Sequence, residues 1–218
     1  YGATEALPIT CMSVREVIGR TSVPANSGEV GTRVGTPLPG ITVRIVEASD
    51  DPMSTISAAR ELGLLEIGEV IVSGANVSSS YMDREDANKL NKIVDGERVW
   101  HRMGDMGYLD SAGNLYFCGR KAHRVWGGER IYYSVPTERI FNQHPKVNRA
   151  ALVDAGLQTP AIVIEPAPQS WPNSPEEERR FEQELKDLAQ STPLTSKIEM
   201  IMFHRSFPVD RRHNAKIF

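Results

Sequence analysis

Apolar and polar positions alternate through much of the first half of the chain. Ile41-Thr42-Val43-Arg44-Ile45-Val46 sets β-branched residues against polar ones with the period of a half-buried strand. Gly68-Glu69-Val70-Ile71-Val72-Ser73-Gly74 is a second strand pattern, bracketed by glycines. Residues 100–103 and 114–118 predict two more strands. The intervening Gly107-Tyr108-Leu109-Asp110-Ser111-Ala112-Gly113 carries hairpin turn chemistry. Asp50-Asp51-Pro52-Met53-Ser54 reads as a turn-rich insertion, with room for a short helix after it.

The pattern changes around residues 119–128. Beyond them, residues 136–142 fit a short helix with Pro136 near its start, and residues 149–153 and 161–165 fit short apolar strands. Ser174-Pro175-Glu176-Glu177-Glu178 combines an N-cap serine, a proline at the first helical position and acids in the first turn. That helix is expected to run to about residue 189 with Phe181, Leu185 and Leu188 on one face. Residues 198–203 predict a further strand, and residues 208–218 a polar, basic tail. The expected fold class is α+β, with a β-rich subdomain over 1–118 and a compact mixed domain over 119–218.

Composition narrows the function classes. The 218 residues carry a net charge of -3 with both signs interspersed, so no footprint for nucleic acid or anionic lipid stands out. Apolar runs fall short of the roughly 18 residues that span a bilayer, and no secretory leader is read. Cys11 and Cys118 are isolated, which suggests neither a disulfide framework nor a zinc site and makes a cytoplasmic address the default. The start at Tyr1, inside a motif-like segment and without methionine, is read as the mark of a fragment. Trp100, Trp126 and Trp171 read as packing or edge residues, and Cys118 as a small apolar filler.

Single motifs are indecisive. Glu5 and Asp105 alone would be turn or capping acids, and Lys216 a surface lysine. Their order carries more. Tyr1-Gly2-Ala3-Thr4-Glu5 is followed by Gly35-Thr36-Pro37-Leu38-Pro39-Gly40, by the Gly68–Gly74 strand and by Tyr81. Then come His101-Arg102-Met103-Gly104-Asp105, Gly119-Arg120, Pro136-Thr137-Glu138, His144-Pro145 and Lys216-Ile217. Over nearly its whole length the chain resembles the latter half of the adenylate-forming superfamily: acyl-CoA synthetases, peptide-synthetase adenylation domains and luciferases.

The resemblance implies a β-barrel-like subdomain followed by a small α+β lid domain, a hinge near residues 119–124, and an active site between the two. It implies ATP and Mg²⁺ as cofactors, with CoA as one acceptor. Such enzymes join a carboxylate to MgATP, so the site must neutralise two anions and align them. By the resemblance, Tyr1 stacks on adenine, with Gly2 in the same nucleotide-binding segment, and Thr4 hydrogen-bonds the α-phosphate. Glu5 helps hold Mg²⁺, Asp105 accepts from the ribose hydroxyls, Arg120 contacts the ribose and phosphate region, and Lys216 is the mobile catalytic lysine. The family's phosphate-binding Ser/Thr/Gly-rich loop lies before the Tyr1 element, and no Gly-x-x-x-x-Gly-Lys-Ser/Thr loop replaces it. The expectation is therefore a piece that is inactive alone and needs the N-terminal portion of the same chain.

Two departures refine this. After Gly119-Arg120 the run Lys121-Ala122-His123-Arg124 is one residue short of the family pattern and puts Ala122 at the hinge position. The tail Pro208-Val209-Asp210-Arg211-Arg212-His213-Asn214-Ala215-Lys216 is longer than usual and has alanine before the lysine. It is similar to the fatty-acid-activating enzymes of bacterial long-chain olefin biosynthesis, where an adenylated β-hydroxy acid closes to a β-lactone. The substrate implied is a fatty or β-hydroxy fatty acid. CoA ligation, aminoacyl activation and a noncatalytic binding module with the same scaffold are the alternatives.

Overall fold

The structure, a computed structural model, describes residues 1–20 and 30–209. Two compact units divide it, Tyr1–Ala122 and a second beginning at His123.

In the first unit the elements run β1 (Thr10–Cys11), α1 (Val14–Arg20), β2 (Thr32–Pro37), β3 (Thr42–Val46), β4 (Gly68–Ser73), α2 (Glu85–Asn91), β5 (Lys92–Asp95), β6 (Arg98–Leu109) and β7 (Leu115–Arg120). They form one sheet of strand order β1-β2-β7-β6-β4-β3, in which β5 also pairs with β6. All its ladders are antiparallel. Among the described residues no ladder joins β1 to β3, and the barrel-like expectation is met in part, by a curled antiparallel sheet.

Both faces of this sheet are apolar, because the alternating side chains of β4 and β6 enter two cores. Val70, Val72 and Met103 pack with Ile9, Ile45 and Leu115 on one side. Ile71 and Trp100 pack with Val46 and Ile93 on the other. Every residue of β4 is buried, as expected of a strand flanked on both sides and covered on both faces.

The strand expected over 100–103 is in fact the twelve-residue β6, which runs through Gly107, Tyr108 and Leu109. Those three positions read locally as turn residues, but cross-strand pairing with β7 keeps them extended, and the two tyrosines Tyr108 and Tyr116 stack at 4.7 Å. The turn is confined to 110–113, where Asp110 Oδ1 accepts the backbone N–H groups of Ala112 and Asn114. After the Asp50–Ser54 segment stands a single 3₁₀ turn, Ile56–Ala58.

The second unit contains β8 (Val125–Trp126), β9 (Ile131–Tyr132), α3 (Ser134–Phe141), β10 (Val147–Asp154), β11 (Pro160–Pro166), α4 (Pro175–Gln190) and β12 (Met200–Phe203). β10 and β11 are antiparallel and β12 joins β11 in parallel. Helix α4 begins as its sequence demands: Ser174 Oγ accepts from the Glu177 N–H at 3.2 Å. Its buried stripe is Phe181, Leu185 and Ala189 at a spacing of four, whereas Leu188 is only half-buried. Phe181 meets Phe203 of β12 at 5.1 Å, which ties helix to sheet.

One acid in this unit sets a pH dependence. Glu138 on α3 accepts the Leu152 N–H at 3.0 Å, and burial pushes its carboxyl up to about 7 against that hydrogen bond. A raised carboxyl favours the fold below the unfolded value near 4.5, and this contribution disappears as pH rises through about 7. Urea unfolding between pH 4.5 and 8 is expected to register a loss of up to about 3 kcal/mol in the second unit. Glu138→Gln, which keeps the acceptor, is expected to flatten that slope; an unchanged slope would refute the assignment.

Candidate functional site

The site begins in a tight turn. Ala3 and Ala6 exchange backbone hydrogen bonds of 3.0 and 2.9 Å, which places Thr4 and Glu5 at the tip. The turn closes only because position 2 is glycine. A Cβ there would stand 2.7 Å from the Ala6 carbonyl oxygen and 2.7 Å from Leu7 Cδ1, and the first is backbone that cannot step aside. Gly2→Ala is expected to cost about 1–3 kcal/mol by overpacking and to displace the tip. Thermal unfolding and a nucleotide titration on the same variant check both effects.

A cavity of about 510 Å³ opens on this turn, lined by Gly2, Thr4, Glu5, Tyr81, His101 and Arg120 among others. Thr4 is exposed, and Arg120 is half-exposed at the end of β7. Asp105 stands behind Arg120, brought there by register, since the β6–β7 ladder pairs Asp105 directly with Arg120. The Arg120 guanidinium donates to Asp105 Oδ1 at 2.8 Å, and the Tyr1 hydroxyl donates to Oδ2 at 2.5 Å. Burial pushes the Asp105 carboxyl above its ordinary range, with Tyr1 and Arg120 opposing the rise. Burial first, then the Asp105 charge, drives the Tyr1 phenol far up, so it remains a hydrogen-bond donor at neutral pH. The Tyr1 ring lies 6.1 Å from Phe117, tilted by 39°, and packs against the first core.

Glu5 is held from several directions. The Ala6–Val77 bridge brings residues 77–81 alongside the turn, and the Ser78 N–H donates to the Glu5 carbonyl at 2.8 Å. The Tyr81 hydroxyl donates to Glu5 Oε1 at 2.9 Å. Burial would raise this carboxyl, but its own backbone N–H, the Tyr81 hydroxyl, the His101 imidazole when it is protonated at acid pH, and the Lys92 ammonium together bring it below the usual carboxylate range. His101 is the opposite case: burial and the Lys92 ammonium push its imidazole down to about 4, so it is neutral at pH 7. Its Nδ1 lies 3.2 Å from the Asn91 carbonyl, which only accepts, so Nδ1 carries the proton and Nε2 is left as an acceptor.

Below the cavity lies a charged cluster of another kind. Glu69 and Arg102 are both buried and form a bidentate pair, Nε to Oε1 at 3.1 Å and Nη2 to Oε2 at 2.7 Å. Lys121 adds contacts to Glu69 at 3.0 and 3.2 Å and to the Ser49 carbonyl at 2.6 Å. The residue next to Arg120 is thereby anchored near the start of β4.

The structure thus brings Gly2, Thr4, Glu5 and Arg120 onto one cavity, with Asp105 and Tyr1 as the support of Arg120. Lys216 lies outside the described residues. Ala122 and His123 are exposed. The motif order picks out Tyr81 and His101 only as punctuation, and Lys92 and Asn91 not at all. No local signal marks them, because their roles depend on which strand β6 meets.

The residues fit a hard divalent cation accompanied by phosphates. The described residues contain no group of three or more His, Cys, Asp or Glu able to hold a metal. Glu5 instead offers one ionised carboxylate at the cavity wall, and Mg²⁺ takes one or two carboxylates together with phosphate and water oxygens.

No family model matches the chain. Olefin beta-lactone synthetase of Xanthomonas campestris pv. campestris is 39% identical over 226 residues, covering 100% of this chain and 40% of that protein. Olefin beta-lactone synthetase of Stenotrophomonas maltophilia is 38% identical over 225 residues, again 100% and 40%. The chain therefore spans about two fifths of the length of these curated relatives. Among solved structures, o-succinylbenzoate CoA synthetase of Bacillus subtilis in complex with its acyl-adenylate intermediate superposes with a TM-score of 0.71. It is 23% identical, with 100% of this chain and 39% of that one covered, a likeness of fold.

Proposed function

The chain belongs to the adenylate-forming superfamily, corresponding to its C-terminal portion, and from that premise we propose that it supplies the nucleotide-facing part of an AMP-forming ligase. The whole enzyme would act on a fatty or β-hydroxy fatty acid with ATP, together with an N-terminal portion that carries the pyrophosphate grip and most of the acyl pocket. A cytoplasmic address is part of the same proposal. The observation that carries the reading is the convergence of Thr4, Glu5 and Arg120 on one cavity, with Asp105 backing the arginine.

In the first step a carboxylate oxygen of the acid attacks the α-phosphorus, and the bond to pyrophosphate breaks. Thr4 donates its hydroxyl to the α-phosphate. Arg120 neutralises charge at the ribose and phosphate region. Each oxygen of Asp105 carries a second lone pair beyond those used by Tyr1 and Arg120, so it can accept from the ribose hydroxyls. Glu5 would hold Mg²⁺, which when bound offsets phosphate charge as the leaving group departs. Lys216 would bridge the substrate carboxylate and the α-phosphate as charge develops. In the second step the β-hydroxyl oxygen of the same acyl chain attacks the activated carbonyl carbon, the bond to AMP breaks, the hydroxyl proton passes to a phosphate oxygen of the departing AMP, and a β-lactone closes. An internal nucleophile has a high effective molarity, so no external thiol is required. The second unit would act as the lid, turning about residues 119–124, with Ala122 at the pivot.

The test uses the full-length protein with MgATP and a long-chain 2-alkyl-3-hydroxy acid, with and without CoA, and identifies products by mass spectrometry. The expected result is a dehydrated acid and AMP regardless of CoA. A thioester formed only with CoA would make it an acyl-CoA ligase, and no AMP in either arm would favour a noncatalytic module.

A further inference from the structure

We propose that Tyr81 is the positioning residue for Glu5, its hydroxyl occupying one carboxylate oxygen and so fixing which oxygen is presented to the divalent cation. This rests on the reading of Glu5 given above and deepens it. The contact itself is the 2.9 Å hydrogen bond from the Tyr81 hydroxyl to Glu5 Oε1; among the described residues no other side chain donates to that carboxylate. A lone carboxylate rotates about its last bond, and a cation bound through it loses affinity to that freedom. A donor on one oxygen removes the rotation, as outer partners of metal ligands commonly do.

The tyrosine is itself clamped. Its N–H donates to Asn88 Oδ1 at 2.6 Å and its carbonyl accepts from Asn88 Nδ2 at 2.9 Å, so one side chain of α2 grips both ends of the residue. Its ring stands edge-on to His101 at 6.5 Å and lies 5.3 Å beneath the Lys92 ammonium. Lys92 also donates to the Ser78 carbonyl at 2.6 Å and to its hydroxyl at 3.0 Å, while Ser78 holds the Glu5 backbone. Residues 78–81 therefore form a clasp that fixes Glu5 by main chain and side chain together, pinned by Lys92 and Asn88. Tyr81 is only half-buried, so the fold has no need of its hydroxyl for a buried partner. Among the described residues the hydroxyl has one partner, and that partner lines the cavity.

The experiment titrates Mn²⁺, detected by paramagnetic resonance, into the full-length protein saturated with a non-hydrolysable ATP analogue. Nucleotide affinity without divalent cation and the unfolding midpoint are measured alongside. Tyr81→Phe is expected to weaken Mn²⁺ binding about 10-fold, well beyond any change in metal-free nucleotide affinity, with the protein still folded at the assay temperature. Asn88→Ala, which keeps the hydroxyl but frees the clamp, is expected to give a smaller loss in the same direction. If Tyr81→Phe stays within about twofold of wild type while Glu5→Gln abolishes Mn²⁺ binding, the positioning role is overturned and the cation reading stands. If Glu5→Gln leaves Mn²⁺ binding intact, the cation reading fails and the positioning role falls with it.

Discussion

Glu69→Ala is expected to destabilise the first unit by about 3–5 kcal/mol, the usual cost of leaving a buried charge without its partner. Glu69 and Arg102 are essentially inaccessible, and the bidentate geometry satisfies both carboxylate oxygens. Without the carboxylate, Arg102 and Lys121 would confront each other, compensated by the backbone carbonyls of Ser49, Asp51 and Leu90 and by the exposed Asp50 carboxylate 4.0 Å from Lys121. Arg102 cannot retreat to water from the centre of β6, whereas Lys121 is near enough to the surface to swing outward. Urea unfolding would register the loss as a lower midpoint at constant slope. Replacing both members, Glu69→Met with Arg102→Met, is expected to recover most of it, because a buried ion pair contributes little beyond an apolar pair of similar size. A double variant as unstable as the single one would point to the backbone carbonyls as the dominant partners. The single variant should also weaken nucleotide binding, since Lys121 no longer anchors the end of the strand that carries Arg120.

Lys216→Ala is expected to lower the rate of adenylate formation by about 10²–10³, equivalent to about 2.7–4 kcal/mol, with little change in ATP affinity. The reasoning is chemical. In the first step of the proposed reaction two anions meet, and charge at the α-phosphate and the attacking carboxylate would be greatest in the transition state. A cation that reaches them only then acts on the rate and leaves ground-state binding alone. Pyrophosphate release by the full-length protein, followed at saturating ATP, is the measurement. A rise in KM with unchanged kcat would instead make Lys216 an ordinary binding residue. Arg120→Ala offers the contrast: its guanidinium already lines the cavity, so its loss should appear mainly as weaker nucleotide binding.

Local pattern was informative where one periodicity sufficed. β3 and β4 fall where alternation put them, and α4 starts at the N-cap its Ser-Pro-acid run announced. The pattern predicts Phe181, Leu185 and Leu188 as the helix face, yet Ala189 is the buried member because the stripe continues at intervals of four. Polar or short segments escaped notice. α2 has no buried side chain to give it a stripe, and β5 follows it without a turn signal. Residues 107–109 looked like a turn and are strand, since pairing with β7 outweighs local turn preference.

The class of elements in most of the chain, the order of motifs that indicated the superfamily, and Thr4, Glu5, Asp105 and Arg120 as candidates can all be read from the chain alone. They can because periodicity, capping and motif order are local or linear properties. Which groups touch is set by the fold. Asp105 meets Arg120 across 15 positions, Arg102 meets Glu69 across 33, and Glu5 meets Tyr81 across 76. Each of these contacts depends on strand register or on a bridge between distant segments. A slip of one residue would turn the same side chains to the opposite face. The reactive groups can be named from the chain, but their partners, protonation and orientation follow from how β4, β6 and β7 are aligned.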